Sequence, residues 1–316
     1  LRGLLVEVGT GGDVSNLGEV IAKRGNISLM GFAVNQEGLL SATTAVASNG
    51  SIKLVAQDKT TMKSSGIGTG LEVGSVSMVR DGKAAQVTFG VNSRTEVLPD
   101  EDDTSTAVDE QKQVLSSVSV LAKEIQLKQN AKIVVTGGNV SLTATANPMT
   151  AMQNGTQRND SRIVLEQGSL IDVSGTTNTK LAMSRNELEI ELRGNELKDA
   201  PLQRNSVLRG KKVIVDAREG TPLTDISSAL AAIERDVDER LSAGGTLTLA
   251  SEGDVVLAKG ATVDISGGEV AYESGWMHTT QLFSGNKIYD ISDADPNLLY
   301  DGVLGEYVRL NPKWGE

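Results

Sequence analysis

Between Gly244 and Gly268 the chain reads GGTLTLASEGDVVLAKGATVDISGG, three short runs of alternating apolar and polar residues separated by glycine and small polar residues. A period of two predicts strands with one buried and one solvated face, here Leu247 and Leu249 against Thr246 and Thr248. Run centres step by seven or eight residues, at Leu247, Val255 and Val263 and again at Ile125, Ile133 and Val140. One strand type, G-x-[IV]-x-L, recurs at Gly25–Leu29, Gly50–Leu54 and Gly138–Leu142, and with Leu at its centre at Gly245–Leu249. A second type appears as GSLIDVSG over Gly168–Gly175 and as GATVDISG over Gly260–Gly267. Internal repeats of this kind decide the fold class before any local detail does.

An antiparallel sandwich also contains short strands, but its hairpins usually carry Asn-Gly or Asp-Gly turns between longer runs. Here Gly-Gly and Ser-Gly corners recur at fixed offsets from the same strand type. That suits a coil wound in one direction, three short strands and their corners to a rung, with rungs about 4.8 Å apart. The expected class is all-β, a parallel β-helix (solenoid) with small extra-helical insertions and one or two flanking α-helices.

The repeat is expected over residues 1–175, broken near 99–120 by PDEDDTSTAVDEQKQVLSSVSV, which is acidic and then mildly helical. Residues 176–211 carry the charged alternating run ELEIELRGNEL and are expected to form an extra-helical insertion with a small hairpin. The coil is expected to continue over 212–275, with a flanking helix at about 225–243. Asp225 would cap that helix, Ile226, Ala229, Leu230, Ile233, Val237 and Leu241 share one face, and Gly244 and Gly245 end it. Residues 276–316 form the least repetitive part.

Composition sharpens this picture. Glycine supplies 34 of 316 residues and aromatics only 3%, which favours short strands and tight corners around an aliphatic interior. With 41 acidic against 30 basic residues the formal net charge is -11, so no nucleic-acid partner and no attraction to an anionic membrane are expected. The absence of cysteine excludes disulfides, thiolate metal sites and a cysteine nucleophile. No apolar stretch reaches 18 residues, so no membrane insertion is expected. The opening LRGLLVEVGT has no initiator Met and no signal-peptide pattern, which predicts a chain that begins inside something longer.

Four phrases carry a family resemblance: GDVSNLGEVIAKRGNISLMG (12–31), VNQEGLLSATTA (34–45), the 244–268 run, and IYDISDADPNLLYDGV (288–303). They resemble filamentous-haemagglutinin-type exoproteins, the secreted partners of two-partner secretion systems. The resemblance implies that the β-helix is right-handed and that the protein leaves a Gram-negative bacterium through an outer-membrane transporter of the two-partner type. It also implies an extracellular, secreted or cell-surface location and a role in cell adhesion or biofilm. The partners would be an extracellular polysaccharide or a host or neighbouring cell surface. The family's NPNG- or NPNL-like secretion motifs are not matched by Asn297-Leu298 within ADPNLLYD, which points to an internal shaft segment.

Candidate chemistry is sparse. The single histidine, His278, has no second histidine or cysteine with which to share a transition metal or build a triad. Asp100, Glu101, Asp102 and Asp103 offer oxygens to calcium, but without an EF-hand or GGxGxD spacing they read as a solvated acidic loop. Asp172 and Asp264 occupy equivalent places in the two matching octets and should point outward, making ladder or corner hydrogen bonds. GIGTG at 66–70 lacks the Lys-Ser/Thr of a phosphate loop and reads as a loop. Trp276, Tyr272 and Tyr289, with Tyr300 and Tyr307, are the candidate ligand contacts, because flat apolar rings can stack on sugar faces. The expected function is a non-catalytic structural shaft segment of an adhesin, without cofactor or metal. The alternative is a carbohydrate-binding module within the adhesin, and a β-helical polysaccharide lyase or hydrolase ranks last.

Overall fold

The structure, a computed structural model, describes residues 3–7, 12–57, 60–65, 75–80, 85–108, 115–148, 159–193 and 196–305. The chain is mostly β, with few and short helices, and divides into two compact units. The first comprises residues 1–106, 112–179 and 236–269, and the second residues 107–111, 180–235 and 270–316.

The first unit is built on three six-stranded parallel sheets. One stacks Gly3–Glu7, Asn26–Gly31, Ser51–Ala56, Ser117–Ala122, Asn139–Ala144 and Thr246–Ser251. The second stacks Val14–Asn16, Ala33–Gln36, Gln86–Phe89, Glu124–Leu127, Arg162–Leu165 and Asp254–Leu257. The third stacks Glu19–Ala22, Leu39–Thr44, Arg94–Pro99, Lys132–Val135, Leu170–Asp172 and Thr262–Asp264. Along the chain the sheets are visited in the same order six times, so the strands fall into six tiers. The eight-residue step of Leu247, Val255 and Val263 is the distance from one sheet to the next within a tier.

Register explains the alternating pattern. Ile27, Ile52, Val118, Val140 and Leu247 pair in one column of the first sheet. Val34, Val87, Ile125, Ile163 and Val255 do so in the second. Leu40, Thr95, Ile133, Ile171 and Val263 form a column in the third. These columns feed one continuous aliphatic core in which Phe89 is the only ring among the described residues. The polar Gln36 is matched where it enters: it stands in the column of Phe89 and Leu127, takes a 2.7 Å bond from Asn16 and donates to the Gly38 and Arg94 carbonyls at 2.9 Å, whereas the buried Thr95 hydroxyl of the third column has no hydrogen-bond partner among the described residues. A buried amide with satisfied donors and acceptor costs far less than a lone one.

The interruptions differ in part from the expectation. Of the 99–120 run, Ala107–Val108 and Ser117–Ala122 are strands, and no helix occurs among its described residues. Glu187–Glu191 does form an antiparallel pair, but with Lys212–Asp216. The stack therefore does not resume at 212; it passes from Leu170–Asp172 directly to Thr246–Ser251.

The helix expected at 225–243 is two short ones, α1 (Ser227–Ala231) and α2 (Val237–Arg240), with the strand Glu234–Arg235 between them paired to Ala107–Val108. The break has a local cause. Asp236 accepts from the Glu239 backbone N–H at 2.8 Å, and Glu239 returns a bond to the Asp236 N–H at 3.1 Å. This capping box starts a new helix inside the apparent one. Asp225 acts at the beginning of α1, where it accepts from the Ser227 N–H at 2.9 Å.

The second unit has its own core of Leu192, Leu197, Leu208, Val213, Val215, Leu223, Leu282, Ile291 and Tyr300. Its hairpin, Gln281–Ser284 with Lys287–Asp290, turns at Gly285, whose φ of 58° suits glycine in a two-residue turn.

Candidate functional site

The aromatic residues of the second unit separate into two kinds. Trp276 is 90% exposed and Tyr272, the last residue of the strand Val270–Tyr272, is 46% exposed. Tyr289 instead packs against the core and meets Tyr300 edge-on, with centroids 5.7 Å apart and planes at 83°. Tyr300 is buried, and its hydroxyl accepts from the Asp295 N–H at 2.7 Å. Edge-to-face pairs of this kind are packing contacts, so of the candidate rings among the described residues Trp276 and Tyr272 present the most exposed surface. Tyr307 and GIGTG at 66–70 lie outside the described residues.

Residues next to Trp276 in the chain make contacts within the second unit. Arg218 grips Asp216 in a fork, Nε to Oδ1 at 3.0 Å and Nη2 to Oδ2 at 2.7 Å, and reaches the Met277 sulfur at 3.1 Å. The fork holds the Asp216 carboxyl below its ordinary value. His278 is exposed, and its backbone N–H donates to Glu187 Oε1 at 2.8 Å. Asp290 takes a hydrogen bond from the Thr279 hydroxyl and bonds at 3.0 Å and 2.8 Å from Ser292. The exposed Trp276 ring is a flat apolar surface, suited to stacking.

The acidic loop is not the solvated segment its composition suggests. Asp100 is 4% exposed and accepts from Arg24 Nε and, at 3.2 Å, from the Asp102 N–H. The Arg24 bond holds its carboxyl below the ordinary value. Asp103 accepts from the Val46 N–H at 2.7 Å and from the Ser105 N–H and hydroxyl. Burial pushes its carboxyl up, and these bonds outweigh that push. Only Glu101 and Asp102 face solvent, with Lys23 on Asp102 at 2.9 Å. Among the described residues no group of three or more His, Asp or Glu is arranged to hold a metal ion.

Asp172 and Asp264 stack in register in the third sheet and close identical corners. Asp172 accepts from the Ser174 N–H and Asp264 from the Ser266 N–H, each at 2.9 Å.

The last tier carries a surface that the sequence did not mark. Val255 and Leu257 are 40% and 50% exposed, whereas their partners one tier back, Ile163 and Leu165, are fully buried. No helix among the described residues is long and apolar enough to cross a membrane. No protein-family model, characterised protein or solved structure matches the chain.

Proposed function

We propose that this chain is a non-catalytic structural shaft segment of a secreted bacterial surface or biofilm-matrix adhesin of the filamentous-haemagglutinin type, its three parallel sheets wound as a right-handed β-helix. The observation that carries the reading is the cyclic visiting of three parallel sheets over six tiers around one continuous aliphatic core. In such a stack each tier is hydrogen-bonded and packed only to its neighbours, so length can be added without a new fold. The segment holds a binding tip away from the cell, or bridges cells and matrix, after export through an outer-membrane transporter of the two-partner type.

The second reading, a carbohydrate-binding module, is favoured by one observation, the 90% exposure of Trp276. A large exposed indole in a chain with so few rings is suited to a pyranose face.

Export and binding test the two together. Fused behind a two-partner secretion domain, the chain should reach the medium or cell surface only when the barrel transporter is co-expressed. Retention inside the cell in its presence would sink the exoprotein reading. A polysaccharide panel run on the purified chain should show no turnover, and product release from any member would overturn the non-catalytic assignment. Binding that disappears in Trp276→Ala would select the second reading.

A further inference from the structure

Beside the corner closed by Asp172, the first unit contains a cavity of about 320 Å³. Its floor is the outer face of the third sheet and its exit, Val134, Thr136, Asp172 and Ser174. Its walls are Pro99, the loop Gly175–Thr179 and Asp238 from the first turn of α2. The volume lies at the small end of the range for ligand pockets, roughly 300–1,000 Å³, the scale of one or two sugar rings.

Local geometry fixes the walls. Thr176 donates its hydroxyl to the Asp238 carbonyl at 2.6 Å, and its N–H donates to the Leu241 carbonyl at 3.0 Å, tying the loop to α2. Asn178 turns the loop with φ of 69°, a conformation asparagine tolerates better than most side chains. With the frame held by these bonds, the side chains of Thr136, Ser174, Thr177, Asn178 and Thr179 form no hydrogen bond with the described chain.

The Asp238 carboxylate also forms no hydrogen bond there. Asp238 is exposed, yet partial burial, followed by the charges of Asp236 and Glu101, pushes its carboxyl above the ordinary value. Asp172 uses Oδ1 for the Ser174 N–H, which leaves its other oxygen available. None of the lining residues is a lysine or arginine. The cavity therefore presents two carboxylates, a set of hydroxyls with one amide, and a small apolar patch of Pro99 and Val134.

We propose that this cavity binds an amine-bearing sugar, a hexosamine unit with a free ammonium group within a glycan chain, with Asp238 and Asp172 meeting the ammonium. The hydroxyls and Asn178 meet the ring hydroxyls, and Pro99 and Val134 lie under the C–H face. An acidic glycan is excluded from the same place by like-charge repulsion with the two carboxylates. An acetylated amine loses the charge-assisted bonds that favour it here. The proposal is independent of the winding of the stack, and it assigns glycan recognition to residues of the first unit, none of them Trp276.

The test is calorimetric titration of the full purified chain with a tetramer of β-1,4-linked glucosamine, its fully N-acetylated counterpart, and spermidine as an amine without a ring. The glucosamine tetramer should bind, and the acetylated tetramer should bind about tenfold or more weakly, as expected for loss of a hydrogen bond to a charged group. Asp238→Asn should cause a similar drop with its thermal midpoint retained, Thr177→Ala a smaller one, and Trp276→Ala none. Absence of binding by the glucosamine tetramer, unchanged affinity in Asp238→Asn, or spermidine binding as tightly as the tetramer would each overturn it. Loss in Trp276→Ala with Asp238→Asn unaffected would also overturn it, while supporting the aromatic surface as the lectin site. None of these results bears on the shaft reading, which stands or falls on export.

Discussion

Asp100 shows what a single residue contributes and how it hides in a sequence. Its partner Arg24 lies 76 residues earlier, so the run Asp100–Asp103 reads as free charge until tiers are stacked. Because the folded Asp100 titrates below its unfolded value of about 4, its contribution is complete above pH 4 and disappears as pH falls through the folded value. Asp100→Asn should therefore be less stable than the parent at pH 7, with the gap in urea midpoint closing between pH 4 and the folded pKa below it. A gap of constant size across that range would mean that the loss is one of packing and not of charge. Asp172 and Asp264 were legible for the opposite reason. Their partners, Ser174 and Ser266, lie two residues away, within the reach of local pattern.

At the scale of elements, the corners explain why the repeat is written in glycine. A Cβ on Gly245 would stand 1.9 Å from the Gly138 carbonyl oxygen, since the backbones of successive tiers touch there. A Cβ on Gly267 would meet nothing within 4 Å. Gly245→Ala should thus destabilise by roughly 1–3 kcal/mol or more, because the obstacle is backbone and cannot rotate away. Gly267→Ala should stay within about 0.5 kcal/mol. Urea unfolding of the two variants decides it, and equal midpoints would show that the corner relaxes freely. The strands between such corners were readable because period-two alternation and a fixed step are properties of the chain alone. The helix at 225–243 was misread because its apolar face, Ile226 to Leu241, was weighed without the Asp236-x-x-Glu239 box that restarts it. The partner of Glu187–Glu191 was missed for a third reason: antiparallel pairing with Lys212–Asp216 leaves no spacing signature.

Over the six tiers of the first unit, stability should be graded and not uniform. Each inner tier is covered on both sides, so Val118, Val120, Val140 and Leu142 are essentially buried, whereas Val255 and Leu257 of the last tier are half exposed. In a stack with nearest-neighbour coupling an end tier lacks one interface, and its opening free energy falls below that of the interior by the value of that interface. Amide exchange should therefore be slowest in Ser117–Ala122 and Asn139–Ala144 and faster in Thr246–Ser251 and Asp254–Leu257, although the first three belong to one sheet. The order is the informative part. Equal protection in all four strands would mean that the first unit opens as one cooperative body, and nearest-neighbour addition of tiers would then be the wrong physical picture of a shaft.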